Sequence, residues 1–434
     1  MIKKVIPIIS SHNPAFETTD RFTSADVAED HRWTFDQRTM DFTKDLNLKG
    51  KYCYHPFNTI TVDGFGDVYV CICQAWLPIS VGKIWEFDSL QAIVQSPKAR
   101  EIQSSILDGS YRYCDHNTCS IIQEGELSNK IDHKPQTINW INFALDSSCN
   151  LSCPSCRKEF TFINDGPEFD IRIRIVDHLI KLIENHPYYL KFTLSGDGDP
   201  FASLVYRHLL ANLDLTKTIQ FDENGNLIDP LLLDKTKVKD SKLIRLRHHL
   251  IQYIQNGKLW DDIPGKFDNT GSKSGRIVEI EIITNGILLK DHWNKLEKIQ
   301  KNLIRTKISF DAGTESVYEV TRKGGSWSKL LESAKFLSKW KEKTYSNMVL
   351  TANFVVQTAN YVDMPAYVEL CDQLGFDEIN FQKIVNWGTF TNFDAEAVWK
   401  ENHPEHKLFL NILRSLNNSK INYTNLTDLR YENQ

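Results

Sequence analysis

The sequence predicts an α/β protein, in which six strand–helix units build a parallel sheet or barrel and a smaller α+β domain precedes them. Two observations predict this fold class. From residue 137 to about 395, short β-forming runs alternate with longer stretches of helical apolar spacing. Before them lies a β-hairpin pattern followed by a helical stretch. A chain of 434 residues is long enough for both cores.

The smaller domain, expected over residues 49–136, begins with the hairpin. Residues 60–63 and 67–71 alternate between apolar and polar side chains, and a glycine-containing turn separates them. Ser89 can cap a helix that begins at Leu90, where apolar side chains recur at helical spacing. Pro97 is expected to split this helix in two.

The larger domain is expected over residues 137–395. Its six strands are predicted at 138–145, 190–194, 278–283, 307–310, 350–356 and 378–383. The charged stretch 217–275 interrupts this alternation and is predicted to be an insertion with one amphipathic helix. Residues 1–48 are expected to be an arm, and 396–434 a helix and a tail.

Composition limits the classes of partner. A net charge of −5 and a pI near 6.2 argue against a nucleic-acid partner, because phosphate backbones attract basic surfaces. No stretch approaches the ~20 apolar residues of a membrane-spanning helix, and no signal peptide is recognisable. We therefore expect a cytoplasmic protein without a membrane partner, whose nine cysteines are reduced.

Three of these cysteines form the most informative motif. Cys149, Cys153 and Cys156 follow directly on the first predicted strand of the larger domain. Their thiolates suit iron–sulfur clusters or zinc. A structural zinc ion needs a fourth ligand nearby, and no Cys or His lies between Cys156 and His178. The spacing favours an iron–sulfur cluster and leaves zinc as the alternative.

This C-x3-C-x2-C run after a strand resembles the cluster loop of the radical S-adenosylmethionine (SAM) superfamily. The resemblance implies a partial (β/α)6 TIM-like barrel. It also implies that Cys149, Cys153 and Cys156 bind a [4Fe-4S] cluster with an open iron site, which SAM chelates through its amino and carboxylate groups.

Further residues resemble the SAM-binding positions of that superfamily. The turn after the second strand is similar to a Gly-Gly-Glu-Pro turn that receives the SAM ammonium. Its residues are Gly196, Asp197, Gly198, Asp199 and Pro200. The next two strand ends offer polar contacts to the ribose and methionine of SAM, namely Thr284, Asn285, Ser309 and Asp311. Arg322 resembles an arginine that pairs with the SAM carboxylate.

A second cysteine set lies in the smaller domain. Cys53, Cys71, Cys114 and Cys119, with a glycine five residues before Cys71, resemble the auxiliary-cluster modules called SPASM or twitch, here preceding the barrel. The resemblance implies an auxiliary [4Fe-4S] cluster. Zinc is the alternative for these ligands, and Cys73 is an alternative to Cys71.

The resemblance implies an enzyme that reductively cleaves SAM to a 5'-deoxyadenosyl radical, which abstracts hydrogen from a substrate. It also implies a reducing partner such as flavodoxin or ferredoxin. We expect a peptide or protein side chain as the substrate, with a sugar-linked or small metabolite as the alternative. A non-catalytic zinc or iron–sulfur interaction protein is the alternative of another class. No catalytic side chain can be assigned from the sequence.

Overall fold

A computed structural model describes residues 48–116, 118–123, 125–129, 138–186, 189–194, 198–215, 220–221, 227–228, 278–344 and 346–431. Most of the predicted insertion, nearly all of the predicted arm, and Gly196 and Asp197 lie outside these residues. No helix in the described ranges is long and apolar enough to cross a membrane.

The secondary structure alternates between strands and helices. The strands are β1 Thr59–Asp63, β2 Asp67–Tyr69, β3 Ser80–Lys83, β4 Trp140–Ala144, β5 Leu190–Leu194, β6 Gln220–Phe221, β7 Leu227–Ile228, β8 Val278–Thr284, β9 Leu303–Ser309, β10 Val349–Val356, β11 Glu378–Lys383 and β12 Ile421–Asn422. The helices are α1 His55–Asn58, α2 Leu90–Val94, α3 Pro97–Leu107, α4 Ser120–Gln123, α5 Gly166–Asn185, α6 Leu204–Asn212, α7 Leu289–His292, α8 Glu315–Thr321, α9 Trp327–Thr344, α10 Met364–Leu374, α11 His406–Ser415 and α12 Thr427–Tyr431. Short 3-10 turns lie at Ile84–Glu86, Trp293–Leu296, Gln300–Asn302, Tyr361–Asp363 and Phe393–Ala395.

Ten of these strands form one sheet in the order β12-β11-β10-β9-β8-β5-β4-β1-β2-β3. The six strands expected for the larger domain are all present, in chain order, and every neighbouring pair among them is parallel. The predicted mixed α/β class is therefore confirmed. Strand β9 begins four residues earlier than the sequence pattern indicated, at Leu303 instead of 307.

The predicted hairpin and split helix are also present, but the hairpin does not form a sheet of its own. Strand β1 pairs in parallel with β4 from Thr59 opposite Trp140 to Asp63 opposite Ala144. Strands β2 and β3 then extend the same sheet with antiparallel pairing. The expected separation between a smaller and a larger sheet is replaced by one continuous sheet.

The C-terminal segment also differs from the expected helix and tail. After α11, strand β12 pairs in parallel with β11, with Ile421 opposite Ile379. Helix α12 follows it. The chain after residue 396 therefore continues the alternation of helix and strand. A strand of only two residues is too short to be recognised in the sequence.

The two faces of the sheet differ in chemistry. One face is apolar and covered by helices: Phe354, for example, contacts Tyr367 of α10 with ring centroids 4.7 Å apart. Alternate residues point to the other face, which we call the polar face. It comprises Trp140, Asn142, Lys191, Thr193, Glu279, Glu281, Ile283, Arg305, Lys307, Ser309, Thr351, Asn353, Glu378 and Asn380.

Candidate iron–sulfur centres

The loop after β4, residues 145–156, carries the first cysteine set, and we call it the cluster loop. It is fixed by backbone hydrogen bonds to three separate segments. The Cys149 amide donates to the Thr161 carbonyl at 2.9 Å, and the Ser152 amide to the Lys323 carbonyl at 3.0 Å. The Asp199 amide donates to the Ser148 carbonyl at 2.9 Å. The loop is therefore held at the carboxyl ends of the strands.

Each of the three thiols faces an N–H donor from a different side chain. Asn285 Nδ2 lies 3.7 Å from Cys149 Sγ, and Arg322 Nη1 lies 3.8 Å from Cys153 Sγ. Arg157 Nη2 lies 3.8 Å from Cys156 Sγ. Hydrogen bonds and positive charge stabilise the thiolate, which is the form that binds metal. The donor set thus suits three thiolate ligands of an iron–sulfur cluster.

The protonation of the free thiols depends on their burial. Burial raises the pKa of Cys149 to about 12, and the positive charge of Arg157 opposes this shift. Burial also raises the pKa of Cys153, against the opposing charge of Arg322. Cys156 is exposed, whereas Cys149 and Cys153 are buried. Metal binding must release protons from the two buried thiols, so loading of this loop should be favoured at alkaline pH.

The predicted Gly-Gly-Glu-Pro-like turn packs directly against the cluster loop. A Cβ on Gly198 would lie 2.5 Å from the carbonyl oxygens of both Asp146 and Ser148. Only glycine permits this approach. Pro200 lies in the turn that follows.

Asp199, in the same turn, accepts hydrogen bonds on both carboxylate oxygens. Its Oδ1 accepts from the amides of Phe201 and Ala202 at 2.9 and 3.3 Å. Its Oδ2 accepts from Thr284 Oγ1 and the Asn285 amide, both at 2.7 Å. A carboxylate has about four acceptor positions, and these donors fill them. Asp199 therefore ties this turn to the end of β8.

Arg322 and Asp311 come together next to Cys153. Arg322 Nη2 lies 2.7 Å from Asp311 Oδ2; the Asp311 side chain is buried, and 13% of the Arg322 side chain is exposed. Asp311 adopts φ of 53°, a conformation that costs free energy in residues other than glycine. Arg322 Nε is buried and has no hydrogen-bond partner within the described part of the chain. This N–H is an available donor for an anionic ligand group.

The remaining predicted SAM contacts lie at the same edge of the sheet. Asn285 contacts the cluster loop, with Nδ2 2.9 Å from Asn150 Oδ1. The Thr284 hydroxyl donates its hydrogen bond to Asp199. Ser309 ends β9, and its hydroxyl accepts from Asn353 Nδ2 at 3.4 Å. Arg157 was not predicted as a site residue, although its position directly after Cys156 is a signal for a sulfur contact.

The structure also brings the second cysteine set together. Burial raises the pKa of Cys71 well above its usual value, and the neighbouring thiols of Cys53, Cys114 and Cys73 raise it further. Cys119 likewise has a raised pKa, first from burial and also from Cys73. Five thiols therefore lie near one another, which suits a thiolate-bound cluster and leaves both Cys71 and Cys73 within reach of it.

The two cysteine sets lie at opposite ends of the paired strands β1 and β4. The cluster loop follows the carboxyl end of β4, whereas Cys53 and Cys71 flank the amino end of β1. Five residues of strand separate these ends by on the order of 15 Å. The segment after Cys71 also borders the polar face, because Asn142 Nδ2 donates to the Ile72 carbonyl at 3.0 Å.

Within the described ranges, no three or more His, Cys, Asp or Glu side chains form a group that could hold one metal ion.

Comparison with protein families identifies the class of the second cysteine region. Residues 53–120 match the SPASM family model, an iron-sulfur cluster-binding domain. This match confirms the predicted SPASM-like iron–sulfur domain, while the identity of its ligands stays a prediction. Among curated proteins, none matches the sequence significantly.

Solved structures give weaker similarities. One is Streptococcus suis SuiB bound to the precursor peptide SuiA, at 12% identity and a TM-score of 0.31, covering 57% of this chain and 39% of that one. Another is anSMEcpe with bound AdoMet, at 14% identity and a TM-score of 0.31, covering 57% of this chain and 51% of that one. This chain thus matches only 39% to 51% of the length of those proteins, and the TM-scores are too low to establish a shared fold.

Proposed function

We propose that this protein is a radical SAM enzyme with an auxiliary iron–sulfur cluster in its SPASM domain. The observation that carries the proposal is the donor arrangement around the cluster loop. Three thiols from one loop each face an N–H group, and two of these groups belong to arginines. Such donors tune the reduction potential of a cluster and compensate its negative charge.

The residues of this chain have distinct roles in the proposed site. Cys149, Cys153 and Cys156 would hold the cluster, and the unpartnered Arg322 Nε would donate to the SAM carboxylate. Gly198 lets the neighbouring turn approach the cluster loop. SAM bound beside a reduced [4Fe-4S] cluster at these residues would supply the 5'-deoxyadenosyl radical for hydrogen abstraction.

Anaerobic reconstitution with iron and sulfide, followed by reduction and addition of SAM, tests this proposal. We expect wild-type protein to release 5'-deoxyadenosine and Cys156→Ala to release none. Cys371→Ala is the matched control, because Cys371 is a buried helix residue whose thiol neighbours Tyr367 and neither cysteine set. Absence of 5'-deoxyadenosine from both wild type and Cys371→Ala would contradict the enzymatic function.

Metal analysis separates the proposal from the non-catalytic alternatives. We expect about eight irons per chain, as two [4Fe-4S] clusters require. About four irons with one zinc would place zinc at the auxiliary site. Zinc alone would favour an interaction protein without turnover.

For the auxiliary cluster we propose an electron-transfer role at the far end of the polar face. It is supported by the contact between Asn142 and the segment that follows Cys71. Cys114→Ala should then block product formation while SAM cleavage continues. An unchanged product yield in this variant would contradict the role. A reducing partner such as flavodoxin or ferredoxin would supply the first electron.

As substrate we propose a peptide or protein side chain, with a sugar-linked or small metabolite as the alternative. The support is the SPASM-domain match, since such modules accompany peptide-modifying enzymes in the family that this chain resembles. Candidate substrates labelled with deuterium provide the test. Transfer of deuterium into 5'-deoxyadenosine from a peptide, and not from small metabolites, is the expected result.

A further inference from the structure

The polar face carries a row of charged side chains whose pairing is nearly complete. Lys191 Nζ lies 2.9 Å from Glu281 Oε2, and Arg305 Nε lies 3.1 Å from Glu281 Oε1. Arg305 also pairs with Glu378 through Nη1. Two cations and two acids thus pair across strands β5, β8, β9 and β11. The third acid of the face, Glu279, lies opposite Lys191 and accepts from the Tyr189 hydroxyl at 2.8 Å.

Lys307 is the exception on this face. It forms no hydrogen bond and no ion pair with any part of the chain that the structure describes, although it is only partly exposed. Burial lowers the pKa of Lys307; Glu281 and Glu378 oppose this shift, and Arg305 and Lys191 reinforce it. Glu281 and Glu378 act on Lys307 only through charge, and neither carboxylate contacts it directly. A partly buried cation without a direct ion pair is costly, so this position favours an anion that binds from outside.

The position of Lys307 connects it to the proposed SAM site. It lies on β9 two residues before Ser309, which places it roughly 7 Å further into the sheet on the same face. Its cross-strand neighbours are Ile283 on β8 and Thr351 on β10. The Thr351 hydroxyl is already engaged by Arg305 and Glu378. Neither neighbour therefore supplies Lys307 with a negative charge.

We propose that Lys307 anchors an oxyanion of the substrate, a carboxylate or a phosphate, on the polar face. The proposal rests on the proposed function, because it assumes that the polar face receives a substrate. An ammonium group accepts either oxyanion as a compact point charge. An anion bound at Lys307 would place the remainder of the substrate toward Ser309 and the cluster loop.

The test uses the full-length chain and three small probes. N-acetylglutamate carries the carboxylate, phenyl phosphate carries the phosphate, and N-acetylglutamine is the neutral control. Calorimetric titration should show binding of at least one anionic probe to wild type. We expect binding to weaken at least tenfold, or by about 1.4 kcal/mol, in Lys307→Met and to recover in Lys307→Arg.

Lys335→Met is the matched control, because Lys335 lies exposed on α9. It should bind the probes as wild type does. The carboxylate and phosphate arms identify the source of the oxyanion. Equal binding by wild type and Lys307→Met, or no binding of either anion to wild type, would overturn the proposal.

A second variant supplies the missing charge from within the chain. Ile283→Asp places a carboxylate opposite Lys307 on the neighbouring strand. We expect it to abolish binding of the anionic probes and to remain folded by thermal unfolding. Retention of wild-type anion binding in a folded Ile283→Asp protein would contradict the assignment.

Failure of this inference is distinguishable from failure of the proposed function. The probes are titrated without SAM, so their binding does not depend on radical chemistry. Lys307→Met should also leave substrate-independent release of 5'-deoxyadenosine unchanged, because Lys307 contacts none of the thiols. Loss of that release in Lys307→Met alone would assign Lys307 to the cofactor site and overturn the substrate anchor.

Discussion

Arg322 pairs with Asp311 at 2.7 Å in the interior, directly beside a cysteine of the cluster loop. Burial raises the pKa of Asp311, and the arginine charge opposes this shift. The two residues come from the loop after β9 and from the end of α8, so their charges are joined only by folding. This pair links the sheet edge to Cys153.

Replacing one partner of this pair should lower the free energy of unfolding more than replacing both. Arg322→Met leaves the Asp311 carboxylate buried without its counterion, which typically costs 3–5 kcal/mol, and we expect a loss of about 3 kcal/mol. Asp311→Asn combined with Arg322→Met removes both charges and keeps a residue that tolerates positive φ. The double variant should recover at least ~1 kcal/mol in urea unfolding. A double variant less stable than Arg322→Met would show that the charge is not the cause.

Gly198 should tolerate no side chain. Gly198→Ala places a Cβ 2.5 Å from two carbonyl oxygens of the cluster loop, so the loop or the turn must shift. We expect a loss of about 2–3 kcal/mol in stability and a lower iron content after reconstitution. Gly388→Ala is the control: nothing lies within 4 Å of its Cβ, and its φ of 73° predicts a loss of only ~1 kcal/mol. Equal losses in the two variants would contradict the crowding at Gly198.

Asp199 should act through its hydrogen bonds and not through contact with a ligand. Asp199→Asn keeps one oxygen and turns the other toward its donors as an amide, which leaves the Thr284 hydroxyl or the backbone amides unsatisfied. We expect a loss of roughly 2–3 kcal/mol in unfolding free energy. Thr284→Val, which removes one donor, should lose about 1 kcal/mol. A fully stable Asp199→Asn protein would contradict the structural role.

The sequence predicted the parallel strands well, because each of them is a run of five or more β-forming residues. Such a run is long enough to be recognised in the sequence. The pattern also placed Cys149 and Asn285 at one edge of the sheet, since the carboxyl ends of parallel strands meet there. The pairing of β1 with β4 was not predictable from the pattern. Strand pairing partners depend on tertiary packing, and β1 alternates as any hairpin strand does.

The roles of single side chains were less predictable than their location. Asp199 lies in the expected turn, but only the structure shows that four donors already occupy its oxygens. Lys307 has no motif around it, and it lacks a direct ion pair because the nearby carboxylates contact Lys191 and Arg305 instead. These hydrogen bonds and ion pairs join residues that are distant in sequence, so the local sequence does not reveal them.

His292 provides a prediction for pH dependence. Burial lowers its pKa to about 4, and Arg207 contributes to this shift. Arg207 Nη1 lies 3.4 Å from His292 Nε2, so the histidine accepts and is neutral in the folded state. Because the unfolded histidine titrates near 6.5, the unfolded state binds more protons below that pH. The contribution of His292 to the free energy of unfolding should therefore be fully present above about pH 6.5. It should fall as the pH drops toward 4, by on the order of 1 kcal/mol after solvent screening.

His292→Gln keeps an acceptor for Arg207 and cannot titrate, so its unfolding free energy in urea should decline less between pH 7 and 5. Identical pH profiles for wild type and His292→Gln would show that this histidine does not contribute.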